Sequence, residues 1–222
     1  MFKLQKKETI DQSSIYTVPL IAIGCSLIFV FILFLLIGKN PVLAIFIIFI
    51  EPLLSIFGLS ELIVKATPLI IIALGLSIGF RAGVWNIGAE GQFTIGALFG
   101  GAAILAFYPT SGIWILPLSF FIAIIGGVLW GMIPAFFKAR FNTNEILVSL
   151  MLTYVAILFL SGMVYGPLKN PDGFNFPESR LFHDSGTLPI IFPGTRAHIG
   201  FLIALLLAGL MYYLLKRHKF GF

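Results

Sequence analysis

Long runs of apolar residues, separated by short polar segments, dominate the pattern of this chain. Six runs approach the roughly twenty residues that a helix needs to cross about 30 Å of hydrocarbon. These runs predict membrane-spanning helices over 17–37, 61–80, 88–108, 113–133, 146–165 and 199–215. The predicted fold is therefore all-α, a polytopic membrane helix bundle with about six transmembrane helices in a single domain over 1–222.

One further apolar segment, Val42–Phe57, does not fit the alternation of these spans across the membrane. Lys and Arg next to a span favour the cytoplasmic side. If Val42–Phe57 crossed the membrane, Lys138 and Arg140 would lie on the opposite side from the N-terminal lysines. The segment also contains the pair Glu51-Pro52. We predict a re-entrant or interfacial helix over this segment.

The same basic residues predict the orientation of the chain. Three clusters beside apolar runs are expected on the cytoplasmic side: Lys3, Lys6 and Lys7; Lys138 and Arg140; and Lys216, Arg217 and Lys219. The N-terminus is then cytoplasmic, and the polar segment 166–198 is an external loop. The charges of this loop balance, and they are Lys169, Arg180, Arg196, Asp172, Glu178 and Asp184. A bare connector and a docking surface both fit such a neutral loop.

Composition excludes several classes of function. Hydrophobic residues make up 59% of the chain and charged residues 10%, against about 25% charged residues in soluble domains. The net charge of +5 is distributed beside the spans rather than in a groove, so no nucleic-acid partner is expected. The sequence shows no Ser-His-Asp set, metal-ligand spacing or phosphate-binding glycine loop, so no catalytic residue, metal or cofactor is predicted. If ATP drives this protein, another subunit binds it.

The most informative polar segment is Arg81–Gln92. Glu90 is the one charged residue between Arg81 and Lys138. An ionisable side chain costs roughly 2.5–3.5 kcal/mol at the centre of a membrane helix, so it is rarely kept without a use. Proline kinks helices and glycine permits breaks, which predicts a discontinuous helix around this segment. The predicted break residues are Pro68, Gly83, Gly88 and Gly91.

Two interpretations of Arg81–Gln92 stay open. In the first, Asn86 or Gly88 caps a helix, Glu90 lies in its first turn where the macrodipole favours negative charge, and Trp85 belongs to an aromatic belt. In the second, a broken helix exposes polar groups that line a translocation path. The candidate path residues are Trp85, Asn86, Glu90 and Gln92.

A second polar cluster, Phe141–Glu145, precedes the fifth span. Asn142 or Thr143 is expected to cap that helix, and Glu145 suits its first turn. Asn144 and Glu145 form a second, weaker group of candidate path residues.

Glycines four residues apart recur within the spans. They are Gly75, Gly79 and Gly83; Gly96 and Gly100; and Gly127 and Gly131. This spacing favours close approach of helix backbones, and a wall of a substrate path is the alternative.

Four short segments carry a resemblance to a known family. The run Gly83–Gln92, read as Gly-Val-Trp-Asn-Ile-Gly-Ala-Glu-Gly-Gln, resembles the signature of bacterial ABC-importer permeases of the ribose/nucleoside/branched-chain amino acid class. Lys65–Ile70, Ala139–Leu147 and Tyr165–Lys169 fit the same class and are most similar to its simple-sugar and nucleoside branch. The resemblance extends from about residue 60 to the end of the chain.

The resemblance implies a permease subunit of an importer in the bacterial cell (inner) membrane. Its implied partners are an ABC ATPase subunit, an extracytoplasmic solute-binding protein and a second permease subunit. It also implies that the chain corresponds to the N-terminal part of a permease, without the cytoplasmic segment that docks on the ATPase and without the later spans. Two other classes stay open: an ion-coupled secondary carrier, which would use the intramembrane Glu90, and a non-transporting membrane scaffold.

Overall fold

The structure is a computed structural model that describes residues 12–174 and 176–217, with side chains from Tyr16 onward. Lys3, Lys6, Lys7 and Lys219, which contribute to the predicted orientation, lie outside the described residues. Eight α-helices occur in the described part: α1 (Gln12–Leu36), α2 (Pro41–Phe49), α3 (Glu51–Leu54), α4 (Ile56–Arg81), α5 (Ala89–Ala106), α6 (Ile115–Phe141), α7 (Glu145–Tyr165) and α8 (Gly200–Arg217).

Six of the described helices are long and apolar enough to cross a membrane, namely α1, α4, α5, α6, α7 and α8. They coincide with the six predicted spans, so the all-α fold class is confirmed. The largest difference is at α6, which continues past the predicted end at 133 and contains Pro134. The last helical residue is Phe141. Asn142 follows it with a left-handed φ of 50°, which turns the backbone away from the helix axis.

The chain divides into two compact units, residues 1–62 and 63–222. In the first unit, Asn40 caps α2, because its side-chain oxygen accepts hydrogen bonds from the amides of Val42 and Leu43 at 3.0 and 3.2 Å. The prediction of one helix over 42–57 is wrong in its number of helices, since the chain forms α2 and α3 with a boundary at Ile50. Their re-entrant or interfacial placement stays a prediction.

The second unit has its core among α5, α6 and α7. Ile95 and Leu98 of α5 form a buried cluster with Ala156 of α7. Trp130, Leu160, Met163 and Leu168 pack around this cluster. These three helices therefore form the frame against which the break between α4 and α5 is positioned.

Two glycines of α5 bring its backbone close to α6. A Cβ atom at Gly96 would lie 3.1 Å from the Ala123 carbonyl oxygen, and one at Gly100 would lie 3.0 Å from the Ala123 Cβ. Only hydrogen fits at these two positions without displacing α6. This is the close packing that small residues at this spacing favour in membranes.

Local contacts order the loop that follows α7. Asn170 donates its amide hydrogen to the Glu178 carbonyl at 2.8 Å. Arg180 pairs with Asp172 at 3.1 Å, and its guanidinium lies 5.1 Å from the centre of the Tyr108 ring. The external position of 166–198 stays a prediction.

Candidate functional site

The helix break between α4 and α5 begins with a turn that glycine makes possible. Gly83 has a φ of +72°, a conformation that residues with a Cβ rarely adopt. The Gly83 amide donates to the Phe80 carbonyl at 3.2 Å, and the Val84 amide donates to the Gly79 carbonyl at 2.9 Å. This pair of hydrogen bonds is typical of a helix that ends at a left-handed glycine. Helix α4 therefore ends at Arg81, and the chain leaves the helix axis.

Two further glycines fix the start of α5 on α7. A Cβ atom at Gly88 would lie 2.7 Å from the Ser149 carbonyl oxygen, and one at Gly91 would lie 2.9 Å from the Thr153 Cα. Both contacts are with backbone atoms of α7, which cannot rotate away. Asn86 supports the same turn, because its side-chain oxygen accepts the Gly88 amide hydrogen at 2.9 Å. The non-helical stretch occupies 82–88, whereas Pro68 and Gly91 lie inside α4 and α5.

A cavity of about 480 Å³ lies beside this break and the turn between α6 and α7. We call it the hairpin cavity. Its lining consists of Gly83, Val84, Trp85, Asn86, Gln92, Gly131, Pro134, Ala135, Lys138, Ala139, Glu145 and Ser149. Trp85 is held there against Phe80, with 5.2 Å between the two ring centres. The break, the second half of α6 and the start of α7 thus enclose one space.

A second cavity, of about 490 Å³, lies between α4 and α6. We call it the glycine cavity, because glycines of both helices line it. Its lining consists of Ile72, Gly75, Leu76, Gly79, Val84, Asn86, Ala89, Gln92, Phe93, Ile124, Gly127, Val128 and Gly131. Apart from the nearby backbone of α4 itself, a Cβ atom at Gly75 would have no neighbour within 4 Å. A Cβ atom at Gly79 would have one such neighbour, the Val84 carbonyl oxygen. The glycines of α4 therefore border open space rather than another helix.

Four residues line both cavities, and we call this set the neck. These are Val84, Asn86, Gln92 and Gly131. Asn86 belongs to the break and Gln92 to α5, and the carboxamide of each offers both donors and acceptors of hydrogen bonds. Two amide residues thus border both of these spaces of solute size.

Charged groups on the wall of the hairpin cavity neutralise each other. The Lys138 ammonium lies 2.9 Å from the Glu145 carboxylate, and this ion pair joins the end of α6 to the start of α7. Lys138 and Glu145 are the charged residues among those that line the two cavities. The walls of the two cavities are therefore mostly apolar, with a few polar groups, and carry little net charge.

The prediction that Asn142 or Thr143 caps α7 is wrong, since a different residue caps this helix. Asn144 is the N-cap of α7, because its side-chain oxygen accepts the amide hydrogens of Ile146 and Leu147 at 3.0 and 3.4 Å. Asn142 instead ends α6 in the left-handed conformation, with its amide bonded to the Lys138 carbonyl. The chain leaves the helix axis at Asn142, and Asn144 then has the extended backbone conformation that an N-cap requires.

The candidate path residues separate into two groups in the structure. Trp85, Asn86, Gln92 and Glu145 line the hairpin cavity. Glu90 and Asn144 line neither of the two cavities described above. Glu90 precedes Gln92 by two residues in α5, which places the two side chains on opposite faces of the helix, and Glu90 is exposed. Glu90 matches the geometry of a first-turn carboxylate.

Several lining residues carry no signal in the sequence that separates them from ordinary helix residues. They are Gly131, Pro134, Ala135, Lys138, Ala139 and Ser149. In the sequence, Lys138 is interpreted as a basic residue that marks the cytoplasmic side. Its pairing with Glu145 depends on the length of the turn between α6 and α7. Gly131 belongs to a glycine pair whose spacing fits packing and path equally well.

Comparison with known protein families matches residues 58–222 to the family described as branched-chain amino acid transport system / permease component. This match covers the whole of the second unit, including all of the cavity-lining residues. The chain belongs to this permease family. With its six apolar helices, it is a multi-pass membrane protein.

Curated relatives of this permease carry sugar and nucleoside names. It is 34% identical to the glucose ABC transporter permease protein TsgB13 of Haloferax volcanii, over 99% of this chain and 60% of the relative. It is 30% identical to the guanosine ABC transporter permease protein NupP of Bacillus subtilis, over 76% of this chain and 48% of the relative. The nucleoside ABC transporter permease protein NupB of Lactococcus lactis is 25% identical, over 92% of this chain and 58% of the relative.

This permease therefore spans about half to three fifths of the length of the curated relatives that it matches. No solved structure matches the chain.

Proposed function

We propose that this chain forms part of the translocation path of an ATP-driven importer for a neutral sugar or nucleoside. The observation that carries the proposal is the helix break, beside which two amide residues, Asn86 of the break and Gln92 of α5, line both cavities. Transporters use discontinuous helices to bring polar groups to a solute near the middle of the membrane. The cavity volumes, about 480 and 490 Å³, fall within the range of roughly 300–1,000 Å³ typical of small-molecule sites.

The charge distribution supports a neutral solute. An amino acid is a zwitterion, and its carboxylate and its ammonium would each need a charged partner along the path, but Lys138 and Glu145 already pair with each other. Carboxamides suit hydroxyl groups and heterocycles, because they donate to and accept from uncharged polar atoms. The names of the relatives, glucose and guanosine permeases among them, agree with this class of solute.

The partners follow from the family. The relatives are named as ABC transporter permeases, which supports an ABC ATPase subunit, an extracytoplasmic solute-binding protein and a second permease subunit for this chain too. ATP hydrolysis then belongs to the ATPase subunit, and this chain is a transport subunit. We place it in the bacterial cell (inner) membrane with the N-terminus in the cytoplasm.

Contacts between helix ends support this orientation. Arg81 at the end of α4 donates from Nη1 to the Leu215 carbonyl at the end of α8, at 3.2 Å. Lys138 near the end of α6 lines the same cavity as Trp85 just beyond α4. The C-terminal ends of these three helices thus carry their basic residues on one face, as expected of a cytoplasmic face.

The test uses the complete importer that contains this chain, reconstituted with its ATPase and binding protein in vesicles. Gln92→Ala is expected to lower ATP-dependent uptake of glucose or guanosine by roughly two- to tenfold, the value of one lost hydrogen bond. Asn86→Ala is expected to lower it further, because Asn86 also holds the Gly88 amide. Glu90→Gln is the matched control on the opposite face of α5, and it should leave uptake unchanged.

Two outcomes would overturn the proposal. Unchanged uptake in both Asn86→Ala and Gln92→Ala, at equal amounts of protein in the membrane, would remove the neck from the path. Uptake that persists without ATP and collapses with a protonophore would identify an ion-coupled carrier instead. A loss of uptake in Glu90→Gln would favour that same alternative.

A further inference from the structure

The side chain of Gln92 occupies the space that a side chain at position 131 would take. A Cβ atom at Gly131 would lie 2.8 Å from Nε2 of Gln92, 3.2 Å from Cδ and 3.6 Å from Oε1. A methyl carbon 2.8 Å from an amide nitrogen lies well inside their van der Waals contact distance, so one of the two groups would have to move. The absence of a side chain at Gly131 is therefore what gives the Gln92 amide its present position.

The backbones on either side of this contact are not free to separate. One turn after Gln92, the backbone of α5 already packs against α6 at Gly96, where a Cβ would lie 3.1 Å from the Ala123 carbonyl. The start of α5 is fixed on α7 by Gly88 and Gly91. A methyl group added at position 131 would therefore displace the flexible Gln92 side chain rather than the helices.

The Gln92 amide borders open space on more than one side. Gln92 lines both the hairpin cavity and the glycine cavity, and Gly131 lines both as well. A Gln92 side chain that moves into either cavity would narrow the space between the residues of the neck.

We infer that Gly131 sets the width of the neck, and with it the size of the neutral solute that passes, by seating the Gln92 amide against bare backbone. Gly131 is thus a positioning residue that acts through Gln92. This inference rests on the proposed function for its effect on uptake. The structural part of the inference is that access between the two cavities depends on residue 131. This part can be tested without measuring transport.

The chain provides a matched control one helical turn away. Gly127 lies on the same face of α6 and also lines the glycine cavity. A Cβ atom at Gly127 would lie 3.4 Å from the Gln92 backbone oxygen, which is an ordinary van der Waals distance, and it would not touch the Gln92 amide. Both substitutions to alanine add one methyl group to α6, so their difference isolates the effect on the Gln92 side chain.

The first measurement is uptake of a monosaccharide and of a nucleoside by the complete importer. Gly131→Ala is expected to lower uptake of the bulkier nucleoside several-fold and uptake of the sugar by less, because the displaced Gln92 amide narrows the space between the residues of the neck. Gly127→Ala should keep the parent's ratio of nucleoside to sugar uptake. The double variant Gly131→Ala/Gln92→Ala should behave as Gln92→Ala alone, because without the amide a methyl group at position 131 displaces nothing.

The second measurement detects the passage without transport. Gly75 has open space around it, so Gly75→Cys in a Cys25→Ser background places a thiol in the glycine cavity. A charged thiol reagent that does not cross lipid is added on the side of the membrane that carries Lys138. Labelling should slow several-fold with Gly131→Ala, should not slow with Gly127→Ala, and should speed up with Gln92→Ala.

The outcomes distinguish the two levels of the argument. If neither the parent nor any variant transports but labelling still depends on residue 131, the proposed function is wrong. The inference that residue 131 controls access between the cavities is then still supported. If the parent transports and Gly131→Ala matches Gly127→Ala in both uptake ratio and labelling, the inference about Gly131 is wrong. Gln92→Ala adds no atoms and keeps the test decisive even if Gly131→Ala does not assemble, since unchanged labelling in Gln92→Ala also contradicts the inference.

Discussion

Substitution of Gly88 by alanine tests how the break is held on α7. The φ of Gly88 is −87°, which alanine adopts without strain, so the effect of the change is steric. The new methyl would lie 2.7 Å from the Ser149 carbonyl oxygen and 2.8 Å from the Ser149 Cβ. Ser149 is buried, and its hydroxyl already donates to the Ile146 carbonyl, so neither atom has an easy way to retreat.

The expected loss follows from this geometry. Overpacking a well-packed site by one methylene typically costs about 1–3 kcal/mol, and contacts with backbone atoms belong to the upper part of that range. Gly88→Ala should therefore lower the free energy of unfolding by about 2–3 kcal/mol. The matched control is Gly75→Ala, where nothing lies within 4 Å and the change should be neutral or stabilising by up to about 1 kcal/mol.

Denaturant titration of the purified chain in detergent micelles, followed by tryptophan fluorescence, measures both variants. Trp85 lies in the break and reports on it directly. The stated reasoning would be refuted by equal unfolding midpoints for Gly88→Ala and Gly75→Ala. A second check is the fluorescence of Trp85 in the folded state, which should change in Gly88→Ala alone if the break moves off α7.

Two smaller predictions concern the turn between α6 and α7. Asn144→Ala should lower the free energy of unfolding by about 0.5–2 kcal/mol through loss of the N-cap, and Asn144→Asp should largely preserve it, as the same titration would show. Lys138→Met and Glu145→Gln should each change the free energy of unfolding only slightly, because the two side chains are 47% and 22% exposed and solvent screens the pair. In a double-mutant cycle, the coupling should shrink as salt is added; a salt-independent coupling would contradict a screened ion pair.

The spans of this protein are predictable because the membrane imposes them. Every backbone polar group in lipid must be paired within its own helix, so apolar length alone identifies α1 and α4–α8. The end of α6 is not predictable in the same way. Pro134 suggests a stop, but a proline inside a membrane helix is tolerated, and the helix continues to the left-handed Asn142. The cap then falls on Asn144, two residues later than Asn142.

The separation of Glu90 from Gln92 shows why the site itself was only partly predictable. Both residues are polar members of one segment, and helix geometry alone states that they point in opposite directions. Which of the two faces the cavities depends on how α5 rotates against its neighbours. That rotation is set by contacts between distant parts of the chain, such as Gly91 against Thr153 and Gly100 against Ser119.

The glycines show that the same sequence spacing can lead to two different structural outcomes. Gly96 and Gly100 bring α5 onto α6 at distances that exclude a methyl group, whereas Gly75 and Gly79 of α4 border the glycine cavity. The pattern of small residues predicts only that backbones are bare on that face. Whether a bare face meets another helix or an open space is decided by the partner surface. On α4, the residues across the glycine cavity include Gln92 and Gly131, so the glycines there border open space instead of closing a contact.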